Sequence, residues 1–247
     1  KADLLNLFDP AMPEMELLVV FGFPAVCNWY PDESARSTFD LNGKTDIFPR
    51  AEKLWNAGYL CALVPDDAIN DGEIVRNPDG TFTYHKCTFR HLLFLYPQYC
   101  KKKTAEWLKE SVLSGASVRV IGELTAGFDG SPIDPETQRI ISSVTLPEDS
   151  DLPSEFGLAP TGGENYCLLS DGSAVLSNLE SSDTGIPAHF SVNLGGHLWE
   201  GDYCGTAAIK ADGNGCLIRA VCGGCHTLKR DGTVLFASES GEDIAYN

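Results

Sequence analysis

The chain has 247 residues, 43% of them hydrophobic and 21% charged, enough apolar material for one large core or two modest ones and not the composition of a disordered polymer. With 18 basic against 35 acidic residues it carries a net charge of −17, which repels phosphate backbones, and no basic stripe with interleaved aromatics offsets it, so nucleic acid is not an expected partner. No run approaches the roughly 20 apolar residues that cross a bilayer, so no membrane partner is expected either.

The chain opens Lys1-Ala2-Asp3-Leu4-Leu5, with neither an initiator Met nor a basic-then-apolar leader, and reads as a trimmed or internal piece of a longer protein. Nine cysteines are an odd count, and several (Cys61, Cys100, Cys167, Cys216) lie inside apolar runs, where a thiol packs as a small hydrophobe. That usage points to a reducing, cytoplasmic setting.

Strands and helices alternate through the first half. Glu16–Gly22 is a continuous apolar run ending in glycine, as expected of a strand covered on both faces. Asp46 and Pro49 mark a helix start, with Phe48, Ala51, Leu54 and Trp55 on one helical face and Gly58 as its stop. Tyr59–Val64 is a second buried strand. Asn77-Pro78-Asp79-Gly80 turns a hairpin between Glu73–Arg76 and Thr81–His85. His91–Tyr96 is a third strand, Lys103–Ser114 a helix ended by Gly115, and Ser117–Ile121 a fourth strand. Such spacing predicts a doubly wound, mostly parallel sheet over residues 1–130. Prolines 132, 135, 147 and 153 then mark a linker, and residues 131–247 read as an all-β, sandwich-like domain. Its strands are punctuated by Asp-Gly turns in CLLSDGSAVL (167–176), AIKADGNGCLI (208–218) and HTLKRDGTVLF (226–236).

In an open parallel sheet, ligands sit beyond the carboxyl ends of the strands. Asp66, Asp67 and Glu123 fall at those ends and are the candidate catalytic residues, since paired carboxylates facing a sugar are what glycoside hydrolysis needs. A nucleophile elbow of the G-x-S-x-G or G-x-C-x-G kind is missing, and Gly122-Glu123-Leu124-Thr125-Ala126-Gly127 stands where one would fall. Trp29, Tyr30, His197 and Trp199 are candidate sugar-stacking residues, against the plainer reading of each Trp as a core anchor. His85, Cys87, His91 and Cys100 match no paired-ligand spacing, so no metal is expected. Cys222-Gly223-Gly224-Cys225-His226 has the c-type haem spelling, but it lies in a β-rich stretch where two packing thiols and a Gly-Gly bulge are the simpler reading, with a reversible disulfide second. No cofactor is expected.

Residues Glu16–Gly127 resemble the class I glutamine amidotransferase-like domain of β-galactosidases, often called their trimerisation domain. The resemblance lies in HLLFLYP leading to KKKTAEWLKESVLSG and ASVRVIG, and upstream in AEKLWNAGYLCALVPDDAI. It covers nearly half of the chain and rests on element and turn patterns. It implies a flavodoxin-like or amidotransferase-like sheet without the catalytic Cys, followed by a β-sandwich. It also implies a non-catalytic part of a glycoside hydrolase that associates with other domains or subunits, a homo-oligomer included. The two competing expectations are a carbohydrate-binding module and a free-standing hydrolase acting through the sheet-edge carboxylates.

Overall fold

The computed structural model describes residues 11–28, 46–163 and 165–246. The chain divides into two compact units. One is Met15–Pro160; the other joins Thr161–Asn247 to the residues just before Met15.

In chain order the first unit runs β1 (Leu17–Phe21), α1 (Phe23–Asn28), α2 (Ile47–Asn56), β2 (Cys61–Pro65), α3 (Asp67–Asn70), β3 (Ile74–Arg76), β4 (Phe82–Tyr84), β5 (Cys87–Phe89) and β6 (His91–Leu95). It continues with α4 (Lys102–Leu113), β7 (Ser117–Ile121), α5 (Pro135–Ser142), β8 (Thr145–Leu146) and α6 (Leu152–Phe156). Five strands form one parallel sheet in the order β2-β1-β6-β7-β8, so the winding reverses between β1 and β6. Strands β3, β4 and β5 make a separate antiparallel sheet around the expected Asp79-Gly80 turn, where the Asp79 carboxylate accepts from the Thr81 amide at 3.0 Å.

The central strand explains the layering. Successive side chains of β1 point to opposite faces. Leu18 and Val20 enter a core with Ile74, Phe82, Phe89, Phe94 and Leu108, while Leu17 and Val19 enter a second core with Ile47, Ala51, Leu54, Leu152 and Phe156. All four β1 residues are at most 1% exposed. A strand that is dry on both faces has to be apolar throughout, as LLVVF is.

Two expectations change in this unit. The inward stripe of α2 is Ile47, Ala51 and Leu54, whereas Phe48 and Trp55 stand 56% and 46% exposed. Seven residues apart, these two share a different face of the helix. The stretch after Gly130 is not a linker leading to the second domain. Asp134 caps α5 by accepting from the Thr137 amide at 2.9 Å, Pro135 occupies its first turn, and β8 extends the sheet beside β7. The chain therefore divides at Thr161 and not near 130, because Ile141, Leu152 and Phe156 belong to the two cores of the parallel sheet.

The second unit contains β9 (Gly162–Gly163), β10 (Tyr166–Leu168), β11 (Ser173–Asn178), α7 (Leu179–Thr184), β12 (Ala188–Leu194), β13 (His197–Tyr203), β14 (Gly205–Ala211), β15 (Leu217–Arg230) and β16 (Thr233–Tyr246). These strands form one curled antiparallel sheet of eight strands, β12-β13-β15-β14-β11-β10-β9, with β16 also paired to β15. No second sheet faces it among the described residues. The 14-residue β15 accounts for the curl: its first part pairs with β14 (Leu217 to Cys222) and its last part with β13 (Thr227 to Arg230). The enclosed core centres on Trp199, Tyr203, Phe190, Leu176 and Ile209. The Asp231-Gly232 turn joining β15 to β16 has both residues at positive φ (48° and 76°), as a type I′ turn requires.

If residues 131–160 belong to the parallel-sheet unit, removing the cap of α5 weakens that unit. Asp134→Ala is expected to lower its unfolding free energy by about 1 kcal/mol. Urea denaturation followed by Trp107 fluorescence, with the other tryptophans replaced by Phe, checks this; an unchanged midpoint would leave α5 peripheral to the fold.

Candidate functional site

The position to inspect is the carboxyl edge of the parallel sheet at the reversal between β1 and β6, where open sheets of this kind hold ligands. Tyr96 fills it. The residue leaves β6 with φ at 53°, and its amide donates to Ile121 O at 2.7 Å. Its carbonyl passes so close to Gly22 that a Cβ there would lie 1.9 Å from the oxygen. Its ring packs on Gly122, where a Cβ would lie 2.7 Å from ring carbon Cδ1. Glycine is required at both positions, at Gly22 by the close approach of the Tyr96 backbone and at Gly122 by that of its ring. Burial and the Glu148 charge push the Tyr96 hydroxyl above its usual pKa, and neighbouring Arg50 opposes the rise. Arg50 is itself tied to Glu148 O at 2.9 Å and to the Asp46 carboxylate at 3.2 Å, so this edge carries a polar network.

Asp66 lies at the end of β2 with no exposed surface. One carboxylate oxygen, Oδ1, accepts from the Phe23 amide at 3.0 Å, and the Asp66 amide donates to Phe21 O at 2.9 Å, so the residue ties the ends of β1 and β2 together. The other oxygen, Oδ2, has no hydrogen-bond partner among the described residues. Burial raises the Asp66 pKa to about 6, and the charge of neighbouring Asp67 adds to the rise. Asp67 pairs with Lys101 at 2.7 Å. Buried Cys100 is pushed up to about 12 by desolvation and by Asp66.

Glu123 is elsewhere. It is exposed at the end of β7 and lines a cavity of about 530 Å3 with Leu124, Gln138, Thr145 and Pro147. Strands β1 and β6 stand between β2 and β7. Three strand spacings of about 4.8 Å put Asp66 and Glu123 roughly 14 Å apart, beyond the range of roughly 5–9.5 Å across which two carboxylates work on one glycosidic bond. The expected catalytic constellation is thus not assembled: Asp66 ties strand ends, Asp67 is ion-paired, and Glu123 stands apart.

The expected sugar-stacking set fares similarly. Trp199 is fully buried at the centre of the second unit's core, because the sheet curls around it, so it cannot stack on a ligand. The His197 ring bonds to the Asp231 carboxylate at 2.6 Å, and that carboxylate also accepts from the Leu198 amide at 3.0 Å, so His197 braces the β15–β16 turn. Trp29 and Tyr30 lie outside the described residues. The four residues weighed as zinc ligands do not converge: His91 bonds to the Ser117 hydroxyl at 2.8 Å, the His85 ring lies 4.1 Å from that of Tyr84, and Cys100 is a core residue. No group of three or more His, Cys, Asp or Glu side chains among the described residues could hold a metal ion. No described helix is long and apolar enough to cross a membrane.

The residue that sequence reasoning missed is Tyr96. Its available signal was a bulky aromatic at a strand's carboxyl end together with two glycines, Gly22 and Gly122, ending the neighbouring strands.

The raised pKa of Asp66 carries a definite sign. Its folded value, about 6, exceeds the ordinary 3.8. Its stabilising contribution is therefore complete below pH 3.8 and is lost as pH rises through 6. Above that range the buried charge costs on the order of 2–3 kcal/mol. Asp66→Asn keeps the acceptor for the Phe23 amide and removes the charge. It is expected to raise the melting temperature over wild type at pH 7.5, with the gap closing by pH 4. A gap that does not depend on pH contradicts this.

Comparison with known protein families, characterised proteins and solved structures returned no match.

Proposed function

We propose that the chain is a non-catalytic accessory region of a larger glycoside hydrolase of the β-galactosidase kind, and that its α/β unit works in association with other domains or subunits. The observation that carries this reading is the packing of Tyr96. At the edge where a flavodoxin-like or amidotransferase-like sheet does its chemistry, the Tyr96 backbone carbonyl lies against Gly22 and the Tyr96 ring packs on Gly122. The parallel order, with the second strand outside the first and the later three following on the other side, supports a flavodoxin-like reading. It agrees with the resemblance carried by HLLFLYP and the helix after it.

A second observation gives the α/β unit a surface to associate with. Phe48 and Trp55 expose one aromatic stripe of α2; Phe21 lies 6.2 Å from Phe48, and Phe23 is 45% exposed. Contiguous apolar surface of this kind marks association sites. The carbohydrate-module reading loses its main support with the burial of Trp199. Among the described residues of the second unit, the exposed large apolar side chains are Ile186, Leu198, Ile218, Val234, Leu235 and Tyr246, of which one is aromatic.

A panel of aryl glycosides tests the proposal. The chain alone is expected to be inactive, and a longer gene product containing it active. Hydrolysis by the chain alone would overturn the reading and return attention to Asp66, Asp67 and Glu123. The association surface is tested by sedimentation velocity: Phe48→Ser with Trp55→Ser is expected to weaken self-association, or binding to the catalytic remainder, by tenfold or more. Unchanged association constants would remove the α2 stripe from the interface.

A further inference from the structure

Cys222 and Cys225 stand three apart on β15, a spacing that sends side chains to opposite faces of a regular strand. The pairing with β16 shows why they do not diverge here. Cys222 is opposite Ile244 and Cys225 is opposite Glu242, three steps against two. One extra residue therefore sits in β15 at Gly223-Gly224, a bulge that resets the alternation. Both cysteines enter the same core, at 5% and 0% exposure. Gly224 has φ at 49°, its amide donates to the Asp243 carboxylate at 2.8 Å, and a Cβ on it would come within 2.9 Å of Cys204 Cβ, so only glycine fits. Both cysteines are free thiols; Cys222 donates to Gly223 O at 3.8 Å and Cys225 to Thr227 O at 3.6 Å.

The bulge falls where β15 changes partner from β14 to β13, and it also places on one side two cysteines that regular alternation would separate. Cys222 is also reachable: a cavity of about 320 Å3 is lined by Cys222, Gly223, Gly224, Cys204 and Asp243.

We propose that Cys222 and Cys225 are a redox-active dithiol that closes to an intrachain disulfide by exchange with a low-molecular-weight disulfide. Cys222, the member lining the cavity, attacks one sulfur of the incoming disulfide as its thiolate, forms a mixed disulfide and expels the first small thiolate. Cys225 then attacks the Cys222 sulfur and expels the second. The two protons of the cysteines leave on the two small thiols. Two protein thiols are oxidised and one small disulfide is reduced. Interaction between the two thiols holds Cys225 below the usual thiol value and, with burial, pushes Cys222 up, so Cys225 gives up its proton first and its thiolate takes the Cys222 proton as Cys222 attacks. Cys204 also lines the cavity, but its sulfur faces Gly185 O at 3.7 Å, so it is not expected to be a partner.

The test treats the native, reduced chain with oxidised glutathione or with the smaller hydroxyethyl disulfide, then blocks the remaining thiols and digests with trypsin. Cleavage after Arg219 and Lys229 leaves both cysteines in one peptide, Ala220–Lys229. That peptide is expected to lose two hydrogen masses, to regain them with dithiothreitol, and to do so equally in Cys204→Ser. Cys225→Ser is expected to stop at a mixed disulfide on Cys222. The wild-type peptide decides the matter even if a variant fails to fold. The proposal is overturned if Ala220–Lys229 stays fully reduced while exposed Cys216 reacts. It is equally overturned if the wild type accumulates the mixed disulfide, or if Cys222 or Cys225 pairs with Cys204.

Discussion

A parallel strand cannot be left wet on either face without exposing apolar side chains, and β1 is the strand on which this constraint acts most fully here. Its four leading residues divide strictly between two cores. Helices α2 and α6 must cover one face, and α4, α5 and the small antiparallel sheet the other. Neither layer is optional, which is why residues 131–160, rich in proline as they are, fold back onto the parallel sheet. With β1 fixed between β2 and β6, the path of the chain out of β1 is fixed as well. Gly22 has to pass under the Tyr96 carbonyl, and the crevice expected at the reversal of winding is closed by the backbone before any side chain is considered.

That closure governs what the polar residues at the same edge can do. An active carboxylate pair needs two groups facing one open volume with their charges uncommitted. Here Asp66 spends one oxygen on the Phe23 amide inside the protein, Asp67 is neutralised by Lys101, and Arg50, the cation nearest Tyr96, is held by Asp46 and the Glu148 carbonyl. The site carries a perturbed titration without the geometry to use it. A raised carboxylate pKa often accompanies catalysis, yet desolvation at a strand junction produces the same shift. Geometry separates the two cases, and here it favours the structural one.

Features encoded locally were legible in the sequence. The continuous apolar runs gave β1, β2, β6 and β7 nearly to the residue, and Asp79-Gly80 and Asp231-Gly232 gave their turns, because each depends on backbone preferences of a few neighbouring residues. Features set by register or by distant packing were not. Asp134-Pro135 carried a readable helix start, but the surrounding prolines masked it. Phe48, Ala51, Leu54 and Trp55 read as one helical face, although Ile47 one residue earlier has the spacing to Ala51 and Leu54 that points to the core. Trp199 looked exposed beside Gly195-Gly196, and only the curl of an eight-stranded sheet buries it. The lack of a G-x-S-x-G or G-x-C-x-G string was visible from sequence; the packing of Tyr96 at the end of β6 was not, since its contacts are to residues 74 and 26 positions away.

The two units settle a common difficulty in different ways. A sheet that curls must let at least one strand change partners, and a long strand doing so accumulates twist that regular pairing cannot absorb. In β15 the change from β14 to β13 falls between Cys222 and Thr227, and the Gly223-Gly224 bulge lies within that interval. Glycine supplies the positive φ, and the Asp243 carboxylate takes up an amide that the ladder no longer uses. The same extra residue that allows the bend also turns Cys225 to the side of Cys222. Their juxtaposition is thus a direct consequence of how the sheet closes, and any covalent change between them acts on the point where two hydrogen-bond ladders meet.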